Sequence, residues 1–88
     1  MTRDNWKHII ACINKAAQHN EFFEVPKGMF EHFLQSMPPM VMKKNAFLAG
    51  EPARHNDQDQ PVFYSFFHSE GRFFGSLQTL EQFNQKFN

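Results

Sequence analysis

The stretch from Pro61 to Phe87, PVFYSFFHSEGRFFGSLQTLEQFNQKF, carries seven of the twelve phenylalanines and constrains the fold more than any other. Val62, Phe63, Tyr64, Phe66 and Phe67 are β-branched or aromatic, and Pro61 fits only the start or the edge of a strand. Ser69-Glu70-Gly71 supplies a turn in which Gly71 takes positive φ, and Arg72 to Leu77 returns as the partner strand. Alternation places Val62, Tyr64, Phe66 and His68 on one face and Phe63, Ser65 and Phe67 on the other. A sheet this apolar on both sides needs cover on both sides. Thr79-Leu80-Glu81-Gln82 then fits a capping box, so a helix starts at Leu80 and lays Leu80, Phe83 and Phe87 on the sheet.

Upstream, Trp6, Ile9, Ile10, Ile13, Ala16 and Ala17 recur at helical spacing from Asp4 to about Gln18, with Asp4 or Thr2 as the N-cap. Glu21 to Val25 reads as a short apolar connector. Pro26 opens a second helix that runs to Met37 and buries Phe30, Phe33, Leu34 and Met37; Pro38-Pro39 ends it. Met40 to Ala49 reads as one edge strand, in which Lys43-Lys44 discourages association with foreign strands. Gly50-Glu51-Pro52 breaks that strand, and Ala53 to Gln60 is a polar surface loop. The resulting fold class is α+β: a single domain over residues 1–88, ordered α-α-β-β-β-α, with a three-stranded antiparallel meander packed by helices.

At 88 residues the chain buries only about 60 to 65% of its unfolded surface, so its twelve phenylalanines cannot all be central. Nine basic and nine acidic side chains leave no net charge, which argues against both non-specific nucleic-acid binding and a DNA mimic. One cysteine, Cys12, excludes an intramolecular disulfide. With no secretory, transit or membrane-spanning segment, a reducing cytoplasmic setting is expected, with no membrane association.

Three polar arrangements offer chemistry. His8, Cys12 and His19 share an arc of the first helix, but structural zinc needs four convergent ligands, and a partly solvated helix edge with a small thiol accounts for them. Asp57 and Asp59 resemble the start of a calcium loop, yet the glycine of its sixth position is missing and His68 stands where the terminal glutamate belongs. Glu51, His55 and Asp57 are the residues of a small metal-dependent or acid/base enzyme, if the loop has one, but no Ser or Cys nucleophile accompanies them. No metal and no cofactor is expected.

Gly71-Arg72-Phe73-Phe74-Gly75 loosely matches an RNA-recognition strand, and Phe63, Tyr64, Phe66, Phe73 and Phe74, with Arg72, Lys43 and Lys44, would bind single-stranded nucleic acid by stacking. The aromatic spacing and the strand order differ from that module, and nucleic acid is not the expected partner. The preferred reading is a non-enzymatic protein-binding module, with a homodimer through the Met/Phe surface as one form, since methionine suits adaptable contacts. The residues assigned to the partner are Met40, Met42, Phe47, Glu51, Arg54, His55, Asp57, Tyr64, Phe66, Arg72 and Phe74.

Met29-Phe30, Met37-Pro38-Pro39, Phe47-Leu48, Gly50-Glu51-Pro52, His55, Phe66, Gly71, Phe74 and Thr79 to Phe83 together resemble a group of short uncharacterised accessory proteins from bacterial plasmids and phages. The resemblance covers residues 29–83. It implies a mobile-element origin and no mechanism; a host or defence protein is the partner expected of the protein-binding module. The group has no assigned activity, so no functional residue is carried over.

Overall fold

Local chemistry sets most of the elements. The computed structural model describes residues 3–87, with side chains from Asn5 onward. Helix α1 (Arg3–Gln18) buries Ile9 and Ile13 and packs Trp6 and Ile10 beside them. Asp4 lies inside this helix and is not its cap, while Thr2 falls outside the described residues. Helix α2 (Lys27–Ser36) takes Pro26 as its N-cap residue and buries Met29, Phe30 and Phe33. Helix α3 (Leu80–Lys86) begins in the expected capping box: the Thr79 hydroxyl accepts from the Gln82 amide at 3.2 Å, and Gln82 Oε1 accepts from the Thr79 amide at 2.9 Å.

The sheet has five antiparallel strands, not three: β1 (Phe23–Val25), β2 (Pro39–Met42), β3 (Ala46–His55), β4 (Pro61–Ser69) and β5 (Arg72–Gln78), in the spatial order β1-β5-β4-β3-β2. The class is α+β as expected, but the element order is α-β-α-β-β-β-β-α. The connector before Pro26 is strand β1, whose three residues pair with Phe73 to Gly75 of β5. Too short for periodicity to reveal, it is a strand only because β5 is there to receive it.

The single strand expected from Met40 to Ala49 is a hairpin. The Lys43 amide donates to Ala46 O at 2.7 Å, closing a two-residue loop at Lys44-Asn45. Both lysines therefore stand at the turn beyond the end of β2, and do not guard its edge. Nor does Gly50-Glu51-Pro52 end β3, which continues to His55. Register shifts between Leu48 and Pro52, and between Pro52 and Arg54, accommodate a proline that has no N–H to give. The polar loop shrinks to 56–60, where Asn56 Oδ1 accepts from the amides of Gln58 and Gln60 at 3.0 and 2.9 Å.

The β4–β5 hairpin turns as expected. Ser69 pairs with Arg72 across Glu70 and Gly71, whose φ values of 53° and 77° are those of the twist-matched two-residue turn. The alternation along β4 also holds. Phe66 stacks under α1 and α2 with Phe33 and Phe47, at centroid separations of 4.5 and 5.1 Å. Phe63 lies on the opposite face with Leu48, Ala46 and Phe83. Helix α3 seals that second face through Phe83, which is fully buried, and Phe87, while Leu80 remains 41% exposed at the first helical position, off the stripe assigned to it. Lys86 extends over three rings, its Nζ 5.2 Å from the centroid of Phe22 and 5.7 Å from those of Phe67 and Phe87. With helices on both faces, the central rings of the sheet are covered, while Tyr64, Phe67, Phe73 and Phe74 are half-buried.

Candidate functional site

Because both faces are covered, exposed apolar surface is found at an edge. Strand β2 pairs with β3 on one side and, among the described residues, with no strand on the other. Met40 and Met42 project from it, 46% and 59% exposed; among the described residues, Leu80 is the other large apolar side chain this open. The Lys43 N–H points inward to Ala46 O, so by strand alternation the Met42 amide faces outward. The register pairs Pro39 with Ala49 and Val41 with Leu48, which leaves Met40 as the extra, bulged residue.

Each end of β2 carries a depression, and the two differ in charge. At the start of the strand a cavity of about 180 Å³ is bounded by Ser36, Met37, Pro38, Ala49, Glu51, Pro52, Ala53 and Tyr64. It forms because the Gly50 amide donates to Pro38 O at 2.9 Å, which brings Glu51 alongside the proline pair that ends α2. At the other end a groove of about 150 Å³ has Phe30, Leu34 and Phe47 on its floor and Met42, Lys43, Lys44, Asn45 and His68 on its rim. Glu51 and Lys44 are exposed, and among the described residues neither side chain is engaged in a hydrogen bond or ion pair.

The other residues expected at the partner surface divide by position. Phe47 and Phe66, 2% and 0% exposed, are core and cannot meet another molecule. Alternation put them on a sheet face, and the helices above that face took them out of reach. Tyr64 is half-buried, with its hydroxyl 3.4 Å from Asn14 Nδ2. Arg54, His55 and Asp57 lie on the exposed arm formed by the far half of β3 and its turn, and no hydrogen bond or ion pair joins them or Glu51 to one another.

Arg72 is engaged within the chain. Its Nη2 and Nε donate to Glu24 Oε1 and Oε2 at 2.6 and 3.1 Å, tying β5 to β1, and its guanidinium carbon lies 5.4 Å from the centroid of Phe74. The paired hydrogen bonds from Arg72 hold the Glu24 carboxyl below the usual carboxylate range. Phe74 stacks on Phe67 at 4.8 Å and is half-buried.

Of the aromatic residues assigned to base stacking, Phe63 and Phe66 are buried beneath opposite helical layers. The largest concavity, about 720 Å³, is an open trough between α1 and α2 lined by Asn5, His8, Ile9, Pro26, Gly28, Met29, Glu31, His32 and Gln35. Beside it Cys12 Sγ and His8 Nε2 are 3.7 Å apart. His19 does not join them, and among the described residues no three His, Cys, Asp or Glu side chains converge on a metal-sized space. Sequence reasoning passed over Pro38, Ala49 and Pro52 as site residues. Their meeting depends on the Gly50 to Pro38 hydrogen bond, which no local pattern encodes.

Comparison with protein-family models, with curated proteins and with solved structures finds no match. Among the described residues no helix is long and apolar enough to cross a membrane.

Proposed function

We propose that this chain is a small, non-enzymatic protein-binding module that receives its partner along the outer edge of β2. The observation that carries the reading is the exposure of Met40 and Met42, 46% and 59%, on a strand whose outer side has no neighbour. An open strand edge offers main-chain hydrogen bonds to an extended partner, and flanking unbranched thioether side chains adapt to what arrives. The depressions at the two ends of β2 add places for partner side chains. The mobile-element setting rests on the resemblance carried by residues 29–83, and a host or defence protein is the partner assigned to the module.

Site-specific photocrosslinking tests the reading. With benzoylphenylalanine at position 42, irradiation of cells should give protein adducts. The same probe at position 81, exposed on α3 and on the opposite side of the sheet, should give none. Equal labelling from the two positions, or none from position 42, removes β2 as the binding edge.

A further inference from the structure

We infer that the β2 edge is self-complementary and joins two copies of this chain into one continuous ten-stranded sheet. This deepens the protein-binding reading and rests on it.

The argument is one of symmetry. A two-fold interface needs the same patch on both copies, with whatever lies at one end matched to what lies at the other. Strand β2 has that character. Its exposed side chains, Met40 and Met42, are apolar and chemically identical. Its ends are opposite in charge, with Lys44 past the last residue and Glu51 beside the first.

Antiparallel pairing about a two-fold axis through Val41 sets Met42 opposite Met40 of the second copy, and Lys44 opposite its Pro38. Glu51 follows directly on Gly50, whose amide is bonded to Pro38 O. Each Lys44 is thereby brought to the Glu51 cavity of the other copy, where Met37, Pro38, Ala49 and Pro52 offer apolar wall to the lysine stem and the carboxylate meets the ammonium. The contact occurs twice, once at each end. Among the described residues neither Lys44 nor Glu51 has an ionic partner.

Orientation is consistent with this pairing. Met42 and Lys44 border a groove floored by Phe30 and Leu34 of α2, and Glu51 borders one walled by Ser36 and Met37 at the end of α2, so all three stand on the α2 side of the sheet. A two-fold axis normal to the sheet keeps the α2 sides of the two copies together, with Met42 and Lys44 of both copies on that side. Pro39 lacks an N–H and β2 is four residues long, so few main-chain bonds cross the join. The dimer is therefore a reversible one, from the small end of the interface range.

Sedimentation velocity on the full chain, across a concentration series, decides the matter. The wild type should pass from monomer to dimer as concentration rises. Glu51→Lys alone and Lys44→Glu alone should each sediment as monomer at every concentration, because each places like charges at both ends of the join. An equimolar mixture of these two variants should recover the dimer, since both contacts are then Lys to Glu, and the double variant should dimerise by itself. Both positions are exposed, and far-UV circular dichroism should show each variant folded. A wild type that stays monomeric, or a mixture no more associated than its components, overturns the inference. If a monomeric wild type still gives adducts to another protein from position 42, the binding reading stands and only self-association falls; if position 42 gives no adduct at all, both fall.

Discussion

Gly75 lies under the ring of Phe66: a Cβ built at this position would fall 2.8 and 2.9 Å from two ring atoms, and 3.3 Å from Ile13 Cδ1. The ring is held by Phe33 on one side and Phe47 on another, so it cannot retreat. Gly75→Ala should therefore overpack the core and lower stability by about 1–3 kcal/mol, read as a fall in the urea midpoint with little change in slope. The Glu24–Arg72 pair concerns charge instead. Arg72 lowers the Glu24 pKa through its hydrogen bonds, so the native state favours the carboxylate. The contribution to stability is present above the unfolded-state pKa of Glu24 and is lost as pH falls through the lower native value. In Arg72→Ala, NMR titration should show the Glu24 midpoint rising toward the ordinary carboxylate range, and the acid limb of the stability profile should flatten. An unchanged midpoint would mean that the fork of hydrogen bonds does not form in solution.

At the scale of elements, α3 shows how a helix of seven residues holds its place. So short a helix has little stability alone. It is fixed by the Thr79 capping box at one end and by Phe83, fully buried against Leu48 and Phe63, in the middle. Thr79→Ala should cost about 1 kcal/mol and Phe83→Ala about 3–5 kcal/mol, both measurable by thermal melts. A Phe83→Ala variant as stable as wild type would mean that α3 does not seal the sheet. The elements that sequence made legible are those defined by neighbours in the chain. The Glu70-Gly71 turn, the Thr79 cap and the Pro38-Pro39 stop each carry their own chemistry. Strand β1 was not legible because its pattern is three residues long and its partner lies about 50 residues away. The β2–β3 turn was missed because Lys44 and Asn45 close it without glycine and without positive φ. Met40 and Met42 were singled out because methionine suits adaptable contacts, and both are exposed. Phe47 and Phe66 were misplaced because nothing local tells a covered face from an open one.

For the molecule as a whole, the two layers of helix set which surfaces are exposed. Stacking of bases needs an aromatic face, and both faces are roofed, by α1 with α2 and by α3. Glu51, His55 and Asp57, the residues of the acid/base reading, lie on the exposed arm with no hydrogen bond joining them to one another. What is left to the exterior is the perimeter of the sheet, which makes β2 the place where the photocrosslinking and charge-exchange experiments apply. The opposite margin of the sheet is strand β1. Strand β1 holds to β5 through three residue pairs, the Glu24–Arg72 fork and the hydroxyl of Ser76, which donates to Glu21 O at 2.8 Å. These few attachments span a chain separation of 48 residues between Glu24 and Arg72, so they restrain a long loop with little contact. The meander from β2 to β5 is instead held hairpin by hairpin. Burial of Ile9, Ile13 and Val25 against Phe33 and Phe66 adds to the attachments of β1, so opening the seam between β1 and β5 should draw α1 out of the core and unfasten the helical layer with it.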